Sequence, residues 1–468
     1  MTKRFLTRLG ALLVIATVAL GALVSVPSTA HADQWRDDQF WLDDYKIKEA
    51  WKTSKGKGVK VAVIDSGIDD EHPDLKGVVT GGKDFSGVGN DDGTKPVGEA
   101  PQHGTLVGTV LAGRGNNKKA IAKAKKERAA EIKRRKDEND DTDDPLPKVP
   151  KPGPGPDGVI GIAPEAELLS ISVFLGRGNP TGVSIEEQIP QAVRWAVDNG
   201  AKVINMSLGS NKQDWPKSWD EAFLYAEEKD VVVVAAAGNR ASGALTVGAP
   251  ATIPGVLTVA GLDEDGLASW DSSSEGISIG VSAPAEPLVG GLPGGGYSKW
   301  AGTSGAAPFV AGVAALIRAE NPDMSAPQVI QRILATAKDE GKDGVDTIYG
   351  HGIIQPVKAL TADVDEVDRN PMDTMAEWIR VHRRGEEPSP QVTEPEFKPG
   401  EKVAAAPTPQ AKPNLVGHSD EQAPLVIGFG TGLGLILLGG ALHISMRLRE
   451  RKAAATTPPR NPYPPQRP

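Results

Sequence analysis

Three short segments of the chain each carry one residue of the kind that nucleophilic catalysis needs. Asp65 ends the apolar run Val61–Ile64. His103 comes directly before a Gly-Thr pair, and Ser304 comes directly after one. Serine is a weak nucleophile unless a base takes its proton, and that base must be oriented by a third group. The three residues therefore predict a triad in which Ser304 attacks, His103 is the base and Asp65 orients it.

Each residue has a simpler explanation when it is considered alone. An Asp after a strand often caps a turn, a His before a helix is usually structural, and a Ser at a helix N-terminus is normally its cap. The small residues around Ser304 would leave its hydroxyl accessible, and the start of a helix favours nearby negative charge. The combination of the three segments favours catalysis over three separate structural explanations.

An amide side chain adds a fourth part to this chemistry. Asn239 follows the apolar run Val231–Val234 and a short stretch of small residues. Beyond a buried strand, its side chain can donate to the oxyanion of a tetrahedral intermediate, with the backbone N–H of Ser304 as the second donor. Considered alone, Asn239 is equally a turn residue after Gly238.

The elements that must position these residues alternate between strands and helices. Short, fully apolar runs predict strands of a parallel sheet that is covered on both faces. The predicted strands are 59–64, 202–205 and 231–235, and the predicted helices are 185–199, 219–229 and 308–320. The fold class is α/β, with a single domain over residues 59–362 and a mostly parallel sheet flanked by helices on both faces. Parallel sheets build their sites at the carboxyl ends of strands.

One charged segment interrupts the domain at residues 115–157. A run of Lys and Arg passes into a run of Asp and Glu, and a Pro- and Gly-rich stretch follows at 145–156. This insertion has too few apolar residues to supply core, so we expect an exposed helix followed by an unstructured half. It is either a docking element for a partner or a tolerated loop, and the loop is favoured because surface loops lengthen at little cost.

The N-terminus predicts export of the protein. Residues 1–32 have a basic start, the apolar run Leu9–Val26 and the small-residue exit Ala30-His31-Ala32, which together are typical of a secretory signal peptide. Cleavage would leave residues 33–58 as a short N-terminal segment before the domain. An uncleaved signal anchor is the alternative.

A second apolar run predicts a membrane anchor near the C-terminus. Leu425–Met446 holds 22 residues without a charged side chain, enough to cross roughly 30 Å of hydrocarbon as a helix. The basic residues that follow place the tail 447–468 in the cytoplasm and the preceding chain outside. The predicted organisation is an extracellular domain, a Pro-rich stalk at 363–423, one transmembrane helix at 424–446 and a short cytoplasmic tail.

Composition excludes several classes of site. The formal charge of -9 argues against a nucleic-acid-binding protein, which would show a basic face. The chain has no cysteine, which excludes disulfides, a catalytic Cys and thiolate metal sites. No cofactor is predicted.

Five motifs link these residues to a known family. In order, they are Val-Ile-Asp65-Ser-Gly, His103-Gly-Thr, Asn205-Met-Ser-Leu-Gly, Ala-Ala-Gly-Asn239 and Gly-Thr-Ser304-x-Ala-x-Pro. In these motifs and their order the chain resembles the subtilisins, which implies a serine endopeptidase acting on proteins or peptides. The resemblance also implies a set of residues that line the substrate strand and the S1 pocket: Ser207, Leu208, Gly209, Ala236, Ala237 and Gly238. Walls this small imply a mid-sized apolar P1 side chain.

A closer resemblance is to the mycosins, the subtilisin-like proteases of type VII secretion systems. It is carried by the short N-terminal segment, the insertion, the Pro-rich stalk and the C-terminal apolar run. It implies secretion-system components as partners. It also implies that residues 33–58, too few for a folded inhibitory prodomain, wrap the domain rather than block the cleft. Two functions follow: an endopeptidase that processes exported proteins, or a scaffold subunit of a secretion complex with dispensable protease activity.

The chain departs from this family at three points. Mycosins usually carry disulfides, and this chain has no cysteine. Gly305 follows the nucleophile where the family more often has Met or Phe, which predicts looser packing beside Ser304. Asp74 matches a calcium-binding position of many subtilisins, but the insertion replaces the loop that would complete that site, so no metal is predicted.

Overall fold

A seven-stranded parallel sheet forms the centre of the fold. The computed structural model describes residues 33–140 and 142–383. In sheet order the strands are β2 (Val79–Asp84), β5 (Glu167–Ser172), β1 (Lys60–Asp65), β6 (Val203–Met206), β7 (Val232–Ala236), β8 (Leu257–Leu262) and β9 (Ile279–Pro284). Every pairing in this sheet is parallel, which confirms the predicted α/β class. Because β1, β6 and β7 are neighbours, the residues that follow them reach the same edge of the sheet.

Two short antiparallel pairs lie outside the main sheet. β3 (Arg114–Asn116) pairs with β4 (Asp157–Ile160), and β10 (Leu288–Leu292) pairs with β11 (Gly296–Trp300). The helices are α1 (Gln34–Asp37), α2 (Trp41–Asp44), α3 (Ile47–Ala50), α4 (His103–Ala112), α5 (Lys118–Glu138), α6 (Ile185–Asp198), α7 (Asp220–Glu228), α8 (Thr303–Glu320), α9 (Ala326–Ala335), α10 (Pro356–Thr361) and α11 (Met375–His382). Single 3-10 turns occur at Lys217–Trp219 and Arg240–Ser242.

Helices cover both faces of the sheet because its strands are apolar on both faces. Successive residues of β1 alternate between two cores. Val61 and Val63 belong to the core that contains residues of α4 and α8, whereas Ala62 and Ile64 belong to the core that contains residues of α6 and α7. Helix α8 is apolar all round and therefore buried along most of its length.

Several predicted segments lie outside the described residues: the signal peptide (1–32), the transmembrane helix (424–446), the cytoplasmic tail (447–468) and most of the stalk. Among the helices that the structure does describe, none combines the length and the apolar character needed to span a bilayer.

The N-terminal segment 33–58 lies along the folded domain. Trp41 and Ile47 are fully buried in the core. The indole N–H of Trp51 donates to the carbonyl of Ile162 at 2.8 Å. Within the described residues, no hydrogen bond of this segment reaches Asp65, His103 or Ser304.

The insertion contains the predicted helix and, after it, a segment that is hydrogen-bonded to that helix. Its first half is α5, in agreement with the expected helix. The second half, predicted to be unstructured, has no helix or strand at residues 142–152 but is hydrogen-bonded to α5: Arg128 donates to the carbonyl of Pro147 at 3.1 Å, and Arg135 to that of Asp144 at 2.8 Å. Arginine donors thus satisfy carbonyls of a Pro-rich segment that has few partners of its own.

The folded domain continues past residue 362, where the sequence predicts the stalk to begin. Helix α11 packs on the domain: the rings of Trp378 and Trp215 lie 4.6 Å apart, and Met375 is buried. Arg383 donates to the Asp220 carboxylate at 2.7 Å. The prediction was wrong here because the apolar residues Met375, Trp378 and Ile379 pack on parts of the domain that are distant in the chain.

Candidate active site

Asp65 and His103 form a direct hydrogen-bonded pair. Asp65 is the last residue of β1 and is fully buried. Its two carboxylate oxygens lie 2.8 and 3.0 Å from Nδ1 of His103. The His103 side chain is 21% exposed, so part of the ring is open to a ligand. A carboxylate at Nδ1 favours the tautomer that leaves Nε2 free to accept a proton.

The start of helix α4 is held against the turn that follows β1. The N–H of Gly104 donates to Oγ of Ser66 at 2.9 Å, and the Ser66 hydroxyl donates to the carbonyl of Pro101 at 3.2 Å. A Cβ on Gly104 would lie 2.3 Å from the carbonyl oxygen of Gly67. The glycine after His103 is therefore needed for the close approach of helix and turn that aligns the pair.

Ser304 lies in the first turn of α8, and its carbonyl is bound from outside the helix. Pro308 has no backbone N–H to donate to the carbonyl four residues earlier. The hydroxyl of Ser207, which follows β6, donates to that carbonyl at 2.8 Å, and Asn205 donates to the Ser207 hydroxyl at 3.0 Å. Ser207 therefore supports the nucleophile, a role that sequence reasoning missed and that only the proline after Ser304 could have indicated.

His103 and Ser304 each lie in the first turn of a helix, and these two helices, α4 and α8, pack against each other. The Ser304 hydroxyl donates to the carbonyl of Ser207 at 3.2 Å, and no hydrogen bond joins it to His103 within the described residues. Trp300 contacts both neighbourhoods: its ring packs edge-on against His103 with centroids 6.0 Å apart, and lies 3.4 Å from the Cβ position of Gly305. Catalytic hydrogen bonds often tighten only in the substrate complex, and rotation about one side-chain bond redirects a serine hydroxyl.

Asn239 is oriented by Thr303, the residue before the candidate nucleophile. Its Oδ1 accepts from the backbone N–H and the hydroxyl of Thr303 at 2.8 and 2.9 Å. Its amide nitrogen has no acceptor among the described residues, so it can donate to an oxyanion. A Cβ on Gly302 would lie 3.0 Å from this nitrogen, and the φ of Gly302 is 135°. Glycine therefore suits this position because it has no Cβ and because it adopts a positive φ without strain. Sequence reasoning missed Thr303, although the Gly-Thr-Ser motif contains it.

The electrostatics of the pair suit a general base. Burial lowers the pKa of His103, but the charge of Asp65 and its hydrogen bond raise it by more, so the pKa lies above the ordinary value for histidine. Asp65 therefore stabilises the imidazolium that forms when His103 takes a proton.

The predicted substrate residues divide into two groups in the structure. Leu208 and Gly238 are half-buried and Gly209 is exposed, so they are open to a ligand. Ala236 and Ala237 are only 4% and 2% exposed, because their methyl groups pack in the cores on opposite faces of the sheet. Any contribution of these two alanines to a pocket comes from their backbone. The S1 assignment stays a prediction.

Asp74 is surrounded by hydrogen-bond donors. Its carboxylate accepts from the Asn116 amide at 2.6 Å, the Val159 N–H at 2.7 Å and the Tyr297 hydroxyl at 3.2 Å. Burial raises the pKa of Asp74, although these hydrogen bonds oppose the shift, and the Arg36 guanidinium lies within range of its charge. Calcium needs several oxygen ligands, so these N–H donors and a nearby cation do not fit a calcium ion.

Gly305 does not loosen the packing beside Ser304, contrary to the sequence prediction. The Cβ position of Gly305 lies 2.0 Å from Cδ1 of Leu288 and 3.4 Å from the ring of Trp300. Leu288 is 1% exposed. Two larger neighbours thus fill the space that a larger residue at 305 would occupy, which no local sequence pattern reveals.

The fold and the site together define a class of protein: an α/β hydrolase with a buried aspartate, a partly exposed histidine hydrogen-bonded to it, and a serine in the first turn of a helix. The model of the Subtilase family matches residues 56–352 of this chain. The chain belongs to the subtilase family of serine endopeptidases.

Three relatives illustrate the similarity. Fervidolysin of Fervidobacterium pennivorans is 32% identical over 339 residues, 67% of this chain and 42% of its own. Subtilisin E of Bacillus subtilis is 33% identical over 301 residues, 64% of this chain and 65% of its own. The chain therefore spans less than two thirds of the length of either curated relative. The structure of the MycP3 protease from the type VII (ESX-3) secretion system superposes with a TM-score of 0.53 and 30% identity, covering 69% of this chain and 88% of that one.

Replacing Asn239 with alanine is expected to lower kcat about 10²–10³-fold, the range found when a subtilisin loses its oxyanion amide. KM should change little, because the donor acts on charge that develops in the transition state. Steady-state kinetics on a fluorogenic peptide measure both constants. Asn199→Ala, at the end of α6, is the matched control. Equal kcat values for the Asn239 variant and wild type would remove Asn239 from the oxyanion site.

Replacing Gly305 with alanine is expected to overpack the site, lowering the free energy of unfolding by about 1–3 kcal/mol. Leu288→Ala alone should also destabilise, whereas the double variant should lose less than the sum, because the shorter side chain makes room for the new methyl group. Denaturant unfolding in a Ser304→Ala background avoids self-digestion. Strict additivity would show that Leu288 does not restrict position 305.

Proposed function

We propose that this protein is a membrane-anchored serine endopeptidase that cleaves exported proteins at the outer face of the cell membrane. The observation that carries the proposal is the buried carboxylate of Asp65 at 2.8 Å from His103, in a domain whose helix α8 presents Ser304 at its first turn. Membership of the subtilase family supports the same chemistry.

In the proposed mechanism, Oγ of Ser304 attacks the substrate carbonyl while Nε2 of His103 takes the hydroxyl proton. Asp65 stabilises the imidazolium, and the Asn239 amide and the backbone N–H of Ser304 donate to the oxyanion. His103 then gives the proton to the leaving amine, and an acyl-enzyme remains on Ser304. Water, activated by His103, attacks this ester and releases the second product.

The proposed setting rests on the two terminal apolar runs and on one structural relative. The signal peptide 1–32 and the apolar run Leu425–Met446 support export with a retained anchor. The likeness to a protease from a type VII secretion system supports a role beside such a system. The proposed substrates are therefore proteins that cross the same membrane.

Active-site labelling tests the proposal directly. A fluorophosphonate probe is expected to label the processed wild-type protein and to leave the Ser304→Ala variant unlabelled, with subtilisin as a positive control. Comparison of new protein N-termini between wild-type and Ser304→Ala strains then identifies substrates. A correctly processed wild-type protein that fails to react with the probe contradicts the enzymatic function.

A scaffold role in a secretion complex is a second candidate. It is supported by the insertion, which has a long helix and internal hydrogen bonds of its own. The antiparallel pair β3–β4 closes this insertion, and the N–H of Gly153 donates to Oδ1 of Asn117 at 3.1 Å. Deletion of residues 120–152 therefore joins neighbouring points of the chain and keeps the contacts of Lys119 with Asp157. Loss of co-purifying membrane secretion proteins with unchanged probe labelling favours a scaffold role for the insertion, and unchanged co-purification excludes it.

A further inference from the structure

Helix α5 (Lys118–Glu138) has one flank that is committed to internal contacts. Ala124 is its only buried residue. Arg128 and Arg135 donate to carbonyls of the segment 142–152 that follows the helix. Arg134 pairs with Glu131 at 2.8 Å and with Glu138 at 2.6 Å. Every arginine of the helix is thus engaged within the insertion.

The opposite flank of α5 carries unpaired lysines. At about 3.6 residues per turn, five lysines fall within roughly 100° of arc: Lys118, Lys125, Lys126, Lys133 and Lys136. All five are exposed. Within the described residues, none has a carboxylate within 4.0 Å. Ala122 and Ala129 lie between them, so the surface is smooth as well as basic. We call this set of five residues the lysine face.

The lysine face stands out against the rest of the molecule. The whole chain has a formal charge of -9, yet these five like charges share one surface, where they repel one another, and exposed Asp137 is the acidic residue at its border. Ile132, beside the lysine face on the helical wheel, is 47% exposed. A basic surface of this kind is attracted electrostatically to anionic lipid headgroups, and Ile132 adds an exposed aliphatic side chain at its margin.

We infer that the lysine face docks on anionic phospholipid headgroups of the membrane to which the protein is anchored. Lysine is a compact, hydrated charge without fixed geometry, which suits a fluid layer of phosphates, whereas arginine is the residue enriched in shaped protein interfaces. Here the arginines contact internal partners, and Lys119 and Lys123 pair with Asp157 and Glu127, whereas the lysine face has no carboxylate within 4.0 Å among the described residues. An acidic protein surface is the competing occupant.

The inference rests on the proposed anchor, because only a tethered domain meets the bilayer continuously. There are 41 residues between Arg383 and Leu425, which can span at most about 140 Å. A connection of this length allows any face of the domain to approach the lipid. The face that does so is then determined by its electrostatic attraction to the headgroups. A lysine near an anionic leaflet contributes roughly fivefold to binding, so the lysine face is sufficient to orient a tethered domain.

The test uses the full processed chain in lipid nanodiscs. Since the chain has no cysteine, Ala129→Cys gives a single site for a fluorophore on the lysine face. Quenching by a headgroup-labelled lipid should be several-fold stronger in discs that contain phosphatidylglycerol than in phosphatidylcholine alone. The difference should fade with added salt, because screening weakens exposed charges.

Charge reversal supplies the matched comparison. Lys125→Glu, Lys126→Glu, Lys133→Glu and Lys136→Glu together should abolish the lipid-dependent quenching. The same change at four exposed lysines elsewhere should preserve it: Lys202, Lys212, Lys342 and Lys358. Equal quenching in both lipids, or equal effects of the two variants, overturns the inference. Loss of a co-purifying acidic protein without lipid-dependent quenching assigns the lysine face to that protein and also overturns it.

Separate readouts distinguish this inference from the proposed function. Flotation of the same protein with neutral vesicles reports the anchor, and fluorophosphonate labelling of the same sample reports the peptidase. A protein that floats and reacts with the probe, but shows no lipid-dependent quenching, refutes the lysine face alone.

Discussion

Replacing Ser304 with alanine is expected to reduce kcat about 10⁶-fold, as removal of the nucleophile does in a subtilisin. The reason is chemical: without the hydroxyl no acyl-enzyme can form, and only substrate binding and oxyanion stabilisation remain. The measurement is the hydrolysis rate of a fluorogenic peptide at saturating substrate, with active-site titration to correct for contaminating proteases. Thermal unfolding should change little, because a half-exposed hydroxyl is lost and nothing larger is introduced.

Ser298→Ala is the matched control. Ser298 lies in β11, and its hydroxyl donates to the carbonyl of the next residue, Lys299, at 2.9 Å. Its activity should equal that of wild type. A Ser304→Ala protein that keeps more than a small fraction of wild-type activity, after contaminants are excluded, would show that the nucleophile is elsewhere.

The sequence was sufficient to predict three strands of the main sheet, at 59–64, 202–205 and 231–235. Val61–Ile64 and Val231–Val234 are apolar at every position, which only a strand buried on both faces requires. Because parallel strands present their carboxyl ends at one edge, Asp65 and Asn239 could be placed together before any contact was known. The helix that ends at Glu320 was predicted to begin at Pro308. It begins at Thr303, so the proline lies inside the helix rather than at its start.

The contacts that refine the site could not be predicted, because they join residues far apart in the chain. The Ser207 hydroxyl donates to the carbonyl of Ser304, which lies 97 residues later in the chain. The side chain of Leu288 fills the space above Gly305, so a position that looks empty in the sequence is full in the fold. Side-chain packing of this kind depends on tertiary geometry and leaves no periodic pattern.

The packing of helix α11 on the domain also could not be predicted from local sequence. Trp378 and Arg383 lie in a segment, 363–383, that is rich in charged residues, as expected of an exposed stalk. Their partners, Trp215 and Asp220, lie more than 150 positions earlier. Local composition therefore predicted exposure where a few long-range contacts produce order.

Replacing Asp65 with asparagine is expected to lower kcat about 10⁴-fold, as in serine peptidases with a triad. Asparagine keeps the shape of the buried side chain. Its amide, however, can turn its NH₂ group towards Nδ1 of His103, which places the ring proton on Nε2. The imidazole then cannot accept the proton of Ser304. Asp198→Asn, at the exposed end of α6, is the matched control.

The same variant should also move the acid limb of the profile of kcat/KM against pH. In the wild type, Asp65 raises the pKa of His103 against the opposing effect of burial, so activity appears only as the pH rises through this elevated value. Without the carboxylate charge, burial is unopposed and the pKa of His103 falls. The acid limb of the residual activity should therefore move to lower pH. An unmoved limb, with kcat reduced as expected, would mean that the group whose deprotonation permits catalysis is not His103.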